Sequence, residues 1–154
     1  RMPEAEIKLD NLSKCLEEAY LLYFNTRKDI KLNLIKPEND IYFHFDTLQI
    51  SRCFSNLIKN AIEAVEKIPN PAVEVLMATD AKNIKIEIKD NGVGIDEKML
   101  SKIFEPYFTT KTKGTGLGLS IVKRIIEDHG GKIKIEKNKN MAGTTSLINF
   151  EYNA

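Results

Sequence analysis

An α+β two-layer sandwich, one mixed β-sheet with three main helices on one face, is the fold class this sequence predicts. Two observations lead there. Several short segments alternate apolar and polar residues with the two-residue period of half-buried strands, while three longer ones repeat at three- and four-residue steps as amphipathic helices do. Mostly short turns join them, with no internal repeat and no low-complexity linker, so residues 1–154 read as a single domain.

The elements follow in order. Asp10 is placed to cap a first helix, whose stripe is Leu12, Leu16, Ala19, Tyr20 and Tyr23. Ile30, Leu32 and Leu34 alternate as a strand closed by Pro37. Ile41, Phe43 and Phe45 alternate again, so the pair reads as a hairpin around Pro37-Glu38-Asn39-Asp40. Asp46, with Gln49 three residues on, forms a capping-box pattern for a long helix reaching about Lys67. Its core stripe is Ile50, Phe54, Leu57, Ala61, Val65 and Ile68, and Pro69-Asn70-Pro71 ends it. Two strands follow, on Val73, Val75 and Met77 and on Ile84, Ile86 and Ile88. Past Asp90 the period dissolves into a glycine-bearing stretch with a short helix near 97–102. Gly116 opens another helix, marked by Leu119, Val122 and Ile126 and stopped by Gly130-Gly131. Strands near 132–136 and 145–152 close the chain.

Composition bounds the function. At 154 residues the chain buries a real core, and 42% hydrophobic with 29% charged residues is ordinary for a soluble globular protein. The net charge of +1, with lysines and acids interspersed, gives no electrostatic case for nucleic acid or an anionic membrane. Cys15 and Cys53 are far apart and have no metal-type neighbour; buried free thiols in a reducing compartment are favoured over a disulfide. No apolar run approaches the roughly 18 residues of a membrane span, and Arg1-Met2-Pro3 opens no signal peptide. The piece is expected to be soluble, and a membrane-spanning part elsewhere in a longer parent stays open.

Four stretches carry chemistry. In Asn56-Leu57-Ile58-Lys59-Asn60-Ala61-Ile62-Glu63, positions 56, 60 and 63 share one helix face. That face reads as plain solvated surface or as a metal site, since an amide oxygen is a hard ligand suited to Mg²⁺. Asn60 is the better ligand; Glu63 holds a metal-bound water or faces solvent. Asp90-Asn91-Gly92-Val93-Gly94-Ile95-Asp96 follows a strand directly. It reads as an ordinary turn or as a base-binding site, in which glycines let backbone approach a flat ligand and Asp90 accepts from an exocyclic amine such as adenine's. Gly114-Thr115-Gly116-Leu117-Gly118-Leu119 runs into a helix, whose first N–H groups and dipole favour phosphate; a flexible loop is the plain alternative. It is neither a Walker loop nor a dinucleotide fingerprint. Between the glycine stretches, Phe104 to Lys113 mixes aromatics with Lys111 and Lys113, mobile charges able to reach anionic oxygens.

In this order, the four stretches resemble the ATPase fold shared by gyrase, heat-shock-90 chaperones, histidine kinases and mismatch-repair ATPases, and most of all its bacterial sensor histidine kinase branch. The resemblance covers about Asp10 to Tyr152. It implies a Bergerat-type ATP-binding fold with a flexible ATP lid, expected over about Glu97 to Thr115. It implies that Asn60 binds Mg²⁺ and that Asp90 reads the adenine amine, with Gly92, Gly94 and Ile95 beside the base. Phe104 and Phe108 match the lid's aromatic box. Gly114, Thr115, Gly116, Leu117, Gly118 and Leu119 match the phosphate cradle, and Thr144 a late threonine near adenine. ATP, or ADP after transfer, and Mg²⁺ are the implied ligands, with Asn56, Asn60, Lys111 and Lys113 as the catalytic set.

Departures refine this reading. Many histidine kinases carry Lys and Tyr where Glu63 and Ala64 stand, so Lys111 or Lys113 would contribute more to phosphate binding. Asn-Ala-x-Glu-Ala and the Phe-Thr-Thr-Lys lid are similar to the nitrogen-regulation type, and residues 1–9 resemble the linker after its dimerisation helices. Hydrolysing relatives carry a glutamate where Asn56 stands, and an amide is no general base. Phosphoryl transfer to a protein histidine is therefore expected over hydrolysis. His44 lies in a strand and His129 at a helix C-terminus, where positive charge suits the dipole; both read as structural. The acceptor is then on a separate dimerisation domain of the same parent, with a response regulator receiver domain engaged through it. The isolated domain is expected to be a monomer, and the parent a homodimer whose catalytic part is cytoplasmic and whose sensor is membrane-anchored. An anti-sigma-factor serine kinase and a nucleotide-binding module without transfer activity are the rival readings.

Overall fold

The computed structural model describes residues 4–106 and 117–152. In chain order the elements are β1 (Lys8–Asn11), α1 (Leu12–Phe24), β2 (Lys31–Ile35), β3 (Tyr42–Phe45), α2 (Thr47–Val65), β4 (Ala72–Thr79), β5 (Asn83–Asp90), α3 (Glu97–Leu100), α4 (Leu117–Asp128), β6 (Lys132–Lys137) and β7 (Thr144–Glu151). Five strands form the main sheet in the order β2-β4-β5-β7-β6, with only β2 and β4 parallel. The sheet is mixed, as the alternating segments predict, and α1, α2 and α4 pack with it into one core.

Side-chain alternation sets which face is covered. Val73, Val75 and Met77 of β4, Ile84, Ile86 and Ile88 of β5, and Ile148 and Phe150 of β7 are at most 2% exposed. Their in-between neighbours, such as Glu74, Lys85 and Lys89, stand on the opposite face. Helix α2 is the central partner, contacting α1, α4, β4 and β5. Its stripe of Ile50, Phe54, Leu57, Ala61 and Val65 is buried, while Ile68, beyond the helix end, is half-buried. Burying one such side chain is worth about 1.5–3 kcal/mol.

Two local expectations are corrected. Strands β2 and β3 are not arms of one hairpin: β3 pairs antiparallel with β1 in a separate two-stranded ribbon, while β2 joins the main sheet beside β4. Alternation marks a strand without naming its partner. Here residues 40–41 are tied to the start of α1 instead. Asn11 Nδ2 donates to Asp40, the Leu12 N–H to the Ile41 carbonyl, and the Ile41 N–H to Ser13 Oγ. The cap of α1 is Asn11, whose Oδ1 accepts from the Lys14 N–H at 2.9 Å. Asp10 turns away to accept from the Asn11 N–H at 2.7 Å and the Thr47 hydroxyl at 2.8 Å.

At α2 the expected cap is present: Asp46 Oδ1 accepts from the Gln49 N–H at 3.0 Å. Its other oxygen accepts from the Glu6 N–H at 2.7 Å. His129, at the end of α4, accepts from the Asp46 N–H through Nε2 at 3.0 Å and donates from Nδ1 to the Ile125 carbonyl at 2.7 Å. Through these two bonds the ring bridges α4 to α2, the structural role expected of it. Cys15 and Cys53 are buried free thiols, and burial pushes both up to about 12. No described helix is long and apolar enough to cross a membrane.

Candidate functional site

Ile84, Ile86 and Ile88 face the core, so Asp90, next in that period, is carried inward at the end of β5 and is only 5% exposed. Two backbone donors hold it. Its Oδ1 accepts from the Gly92 N–H at 2.9 Å and the Thr144 N–H at 3.3 Å, while Oδ2 has no hydrogen-bond partner among the described residues. Burial raises the carboxyl's pKa against the pull of those two N–H groups. A carboxylate oxygen left over in this way, on a residue held in place through its other oxygen, can accept from a ligand's donor.

Close backbone approaches shape the surroundings. A Cβ on Gly92 would run into the carbonyl of Ala64, and the Val93 N–H donates to that carbonyl at 3.4 Å. Gly143, at φ +106°, packs its backbone on the carbonyl of Asp90, where any side chain would collide. Gly94, at φ +78°, faces it: a Cβ there would stand 3.8 Å from the Gly143 carbonyl oxygen.

Helix α2 links this corner to α4. Asn56, Asn60 and Ala64 recur every fourth residue on one stripe, all half-buried. Ala64 meets the glycine turn at one end, and the Asn56 amide lies against Gly118 at the other, 3.6 Å from where a Cβ would stand. At 1.5 Å per residue the two contacts are roughly 12 Å apart along the helix, with Asn60 midway. Asn56, Asn60, Asp90, Gly92, Gly94, Gly118 and Thr144 thus fall along one line from the end of β5, past α2, to the start of α4. Ile95 is half-buried beside that turn, and Leu119 packs on the core. Phe104 is half-buried under α4, with Lys123 Nζ 5.5 Å from its ring centre. Glu63 lies toward α1, where its charge adds to burial in raising the pKa of Tyr23. Phe108, Lys111, Lys113, Gly114, Thr115 and Gly116 lie outside the described residues, as does the side chain of Leu117. Among the described residues no three His, Cys, Asp or Glu side chains gather to hold a metal.

Two residues escape a reading by motif. Asn91 looks like a turn former. Its side chain instead accepts from the Ala72 N–H and donates to the Asn70 carbonyl, both at 2.9 Å, fastening the end of β5. Asn138 donates to the Asp90 carbonyl at 2.7 Å across 48 residues of sequence. An asparagine near glycines was the only signal either one offered.

Comparison with known proteins identifies the family and the fold. Residues 45–153 match the family described as histidine kinase-, DNA gyrase B- and HSP90-like ATPase. Sporulation kinase A of Bacillus subtilis is 40% identical over 143 residues, covering 91% of this chain and 23% of that protein. The nitrogen regulation protein NtrY of Azorhizobium caulinodans is 31% identical over 140 residues, covering 88% and 18%. The catalytic domain of histidine kinase ThkA superposes with a TM-score of 0.85 at 33% identity, covering 96% of each chain. ThkA in complex with the response regulator protein TrrA gives 0.80 at 28% identity, covering 96% of this chain and 42% of that one. The chain belongs to the histidine kinase-, gyrase- and heat-shock-90-like ATPase family, as an ATP-binding catalytic domain of the sensor histidine kinase type. It spans about a quarter or less of the length of the curated relatives named here.

Proposed function

We propose that this domain binds Mg-ATP and transfers the γ-phosphoryl group to a histidine on a separate dimerisation domain of its parent protein. The observation that carries the reading is Asp90: a buried carboxylate with one oxygen held by two N–H groups and the other left open beside Gly92, Gly94 and Ile95. The open Oδ2 accepts from the exocyclic amine of adenine, and Thr144 holds the carboxylate in orientation. Phosphates lie toward α4, cradled by Gly114, Gly116 and Gly118 with the intervening Thr115, Leu117 and Leu119, and aided by Lys111 and Lys113. Asn60, half-buried on the inward stripe of α2 between the two ends, offers the hard amide oxygen that Mg²⁺ accepts alongside phosphate and water. The ion neutralises phosphate charge when bound. Phe104 and Phe108 pack the lid over the nucleotide.

Asn56 supports transfer over hydrolysis. Its amide sits against Gly118, where it can orient but cannot take a proton from water. The γ-phosphoryl group then leaves ADP for an imidazole nitrogen presented from outside the domain. Through that acceptor domain a response regulator is the downstream partner, in a homodimeric parent with its catalytic part on the cytoplasmic side of a membrane-anchored sensor.

The test is radiolabel transfer from ATP to a matched dimerisation domain, with hydrolysis by the isolated domain measured alongside. Phe108→Ala is expected to lower the transfer rate more than it lowers ATP affinity. Robust hydrolysis by the domain alone, or transfer to serine instead of histidine, would overturn the reading. Nucleotide binding with no transfer to any acceptor would leave an interaction module in its place.

A further inference from the structure

We propose that Asn138 is a positioning residue for nucleotide selection: its side chain clamps the turn between β6 and β7 onto the end of β5, so that the Asp90 carboxylate faces the base in one orientation. The proposal rests on the reading of Asp90 as the acceptor for the adenine amine.

Both side-chain polar atoms of Asn138 and its backbone N–H are engaged across this junction. Nδ2 donates to the Asp90 carbonyl at 2.7 Å and to the Ala142 carbonyl at 3.0 Å, Oδ1 accepts from Thr145 Oγ1, and the backbone N–H donates to the Gly143 carbonyl at 3.0 Å. The result is a closed loop of contacts. Gly143 is pressed on the Asp90 carbonyl so closely that only glycine fits, and the residue after it supplies the Thr144 N–H to Asp90 Oδ1. The main sheet alone does not enforce this. Antiparallel pairing of β5 with β7 runs from Asn83↔Glu151 to Lys89↔Thr145 and stops one residue short of Asp90. Asn138 bridges that missing step. Asn91 fastens the opposite side, toward β4, through the Ala72 N–H and the Asn70 carbonyl. Without the Asn138 amide, two carbonyls in a half-buried junction lose their shared donor, and the turn is free to lift with Thr144. Oδ1 then keeps only the Gly92 N–H, and the carboxylate can rotate.

A clamp on the base-reading group acts on base selectivity, and phosphate contacts near α4 are left alone. The probes are ATP and inosine triphosphate, which has a carbonyl where adenine has the amine. Affinities are measured by calorimetry for wild type, Asp90→Asn, Asn138→Ala and Thr145→Val. The last variant is close to isosteric and removes only the hydroxyl that orients the Asn138 amide, so it guards against a fold loss in Asn138→Ala. Wild type is expected to prefer ATP. Asn138→Ala is expected to lose about tenfold in ATP affinity, the scale of a hydrogen bond to a charged group, with inosine triphosphate affinity changed less than about twofold. Thr145→Val is expected to shift the same ratio by a smaller factor. Equal losses for both nucleotides, or a preference unchanged in both clamp variants but abolished by Asp90→Asn, would overturn the role of Asn138 alone. A wild type that binds the two nucleotides equally would remove the adenine-reading role of Asp90, and this proposal with it.

Discussion

Burial raises the pKa of the Asp90 carboxyl although Gly92 and Thr144 each donate an N–H to it. A folded pKa above the unfolded one means that the ionised form is disfavoured by the fold. This penalty is absent below the ordinary value of 3.8 and is complete once the pH has risen through the folded pKa. Asp90→Asn removes it, and the amide oxygen can still accept from both backbone groups. The variant is therefore expected to melt at the wild-type temperature or higher at neutral pH, while its ATP affinity falls as an amide N–H replaces the acceptor. Any gain in melting temperature should shrink as the pH approaches about 4. Scanning calorimetry across pH, with binding isotherms beside it, checks both halves. A large loss of stability with unchanged ATP affinity would contradict them together. ATP affinity of wild type is expected to fall on acidification through the raised pKa, because a proton on Oδ2 takes away the acceptor.

Helix α2 is the element that joins the two ends of the site, and its N-terminus depends on Asp46. Burial pushes that carboxyl up, but N–H donors from Gln49, Glu6 and Leu48, with His129 nearby, outweigh it and leave the pKa lowered. The sign is opposite to that of Asp90: the stabilisation is present above the ordinary carboxyl value and is lost as the pH falls through the folded one. Asp46→Ala is expected to cost about 1 kcal/mol or somewhat more at about pH 6, with the gap closing below about pH 4. Urea denaturation of both proteins at the two pH values measures this. The turn between β6 and β7 makes a different demand. Gly143→Ala requires both a positive φ of +106° from a residue with a side chain and space that the Asp90 carbonyl already fills. It is expected to destabilise by at least about 1–3 kcal/mol and to weaken ATP binding, since Thr144 cannot keep its place. Wild-type affinity in that variant would detach the turn from the site.

At the scale of the molecule, one core cluster joins α1, α2 and α4 to β2, β4, β5 and β7. Phe54 lies in α2, fully buried at 0% exposure. With a single core, unfolding is expected to be one cooperative transition, with near- and far-ultraviolet dichroism coinciding and the calorimetric and van't Hoff enthalpies equal. Phe54→Ala is expected to lower stability by about 3–5 kcal/mol without splitting that transition. Two separated transitions would mean that the β1–β3 ribbon and α1 form a unit of their own.

The sequence by itself determined what is written within a few residues. Periods of two and of three to four residues marked every strand of the main sheet and the three main helices, and Asp46 announced the cap of α2. The ordered asparagine and glycine stretches pointed to the ATPase family. All of these are local, because backbone geometry repeats over short spans. Strand β1 was missed, since four residues without alternation carry no period, and pairing β3 with β2 erred because alternation is blind to partners. Tertiary structure alone decided that β3 lies on β1, that β2 runs parallel to β4, and that His129 meets Asp46 across 83 residues. It also decided the surroundings of Asp90: a carboxylate one residue beyond the pairing of its strand with β7, steadied by Asn138 from a distant turn. Such contacts follow from which buried faces and unpaired polar groups can be satisfied together once the chain is compact, and no local pattern encodes that.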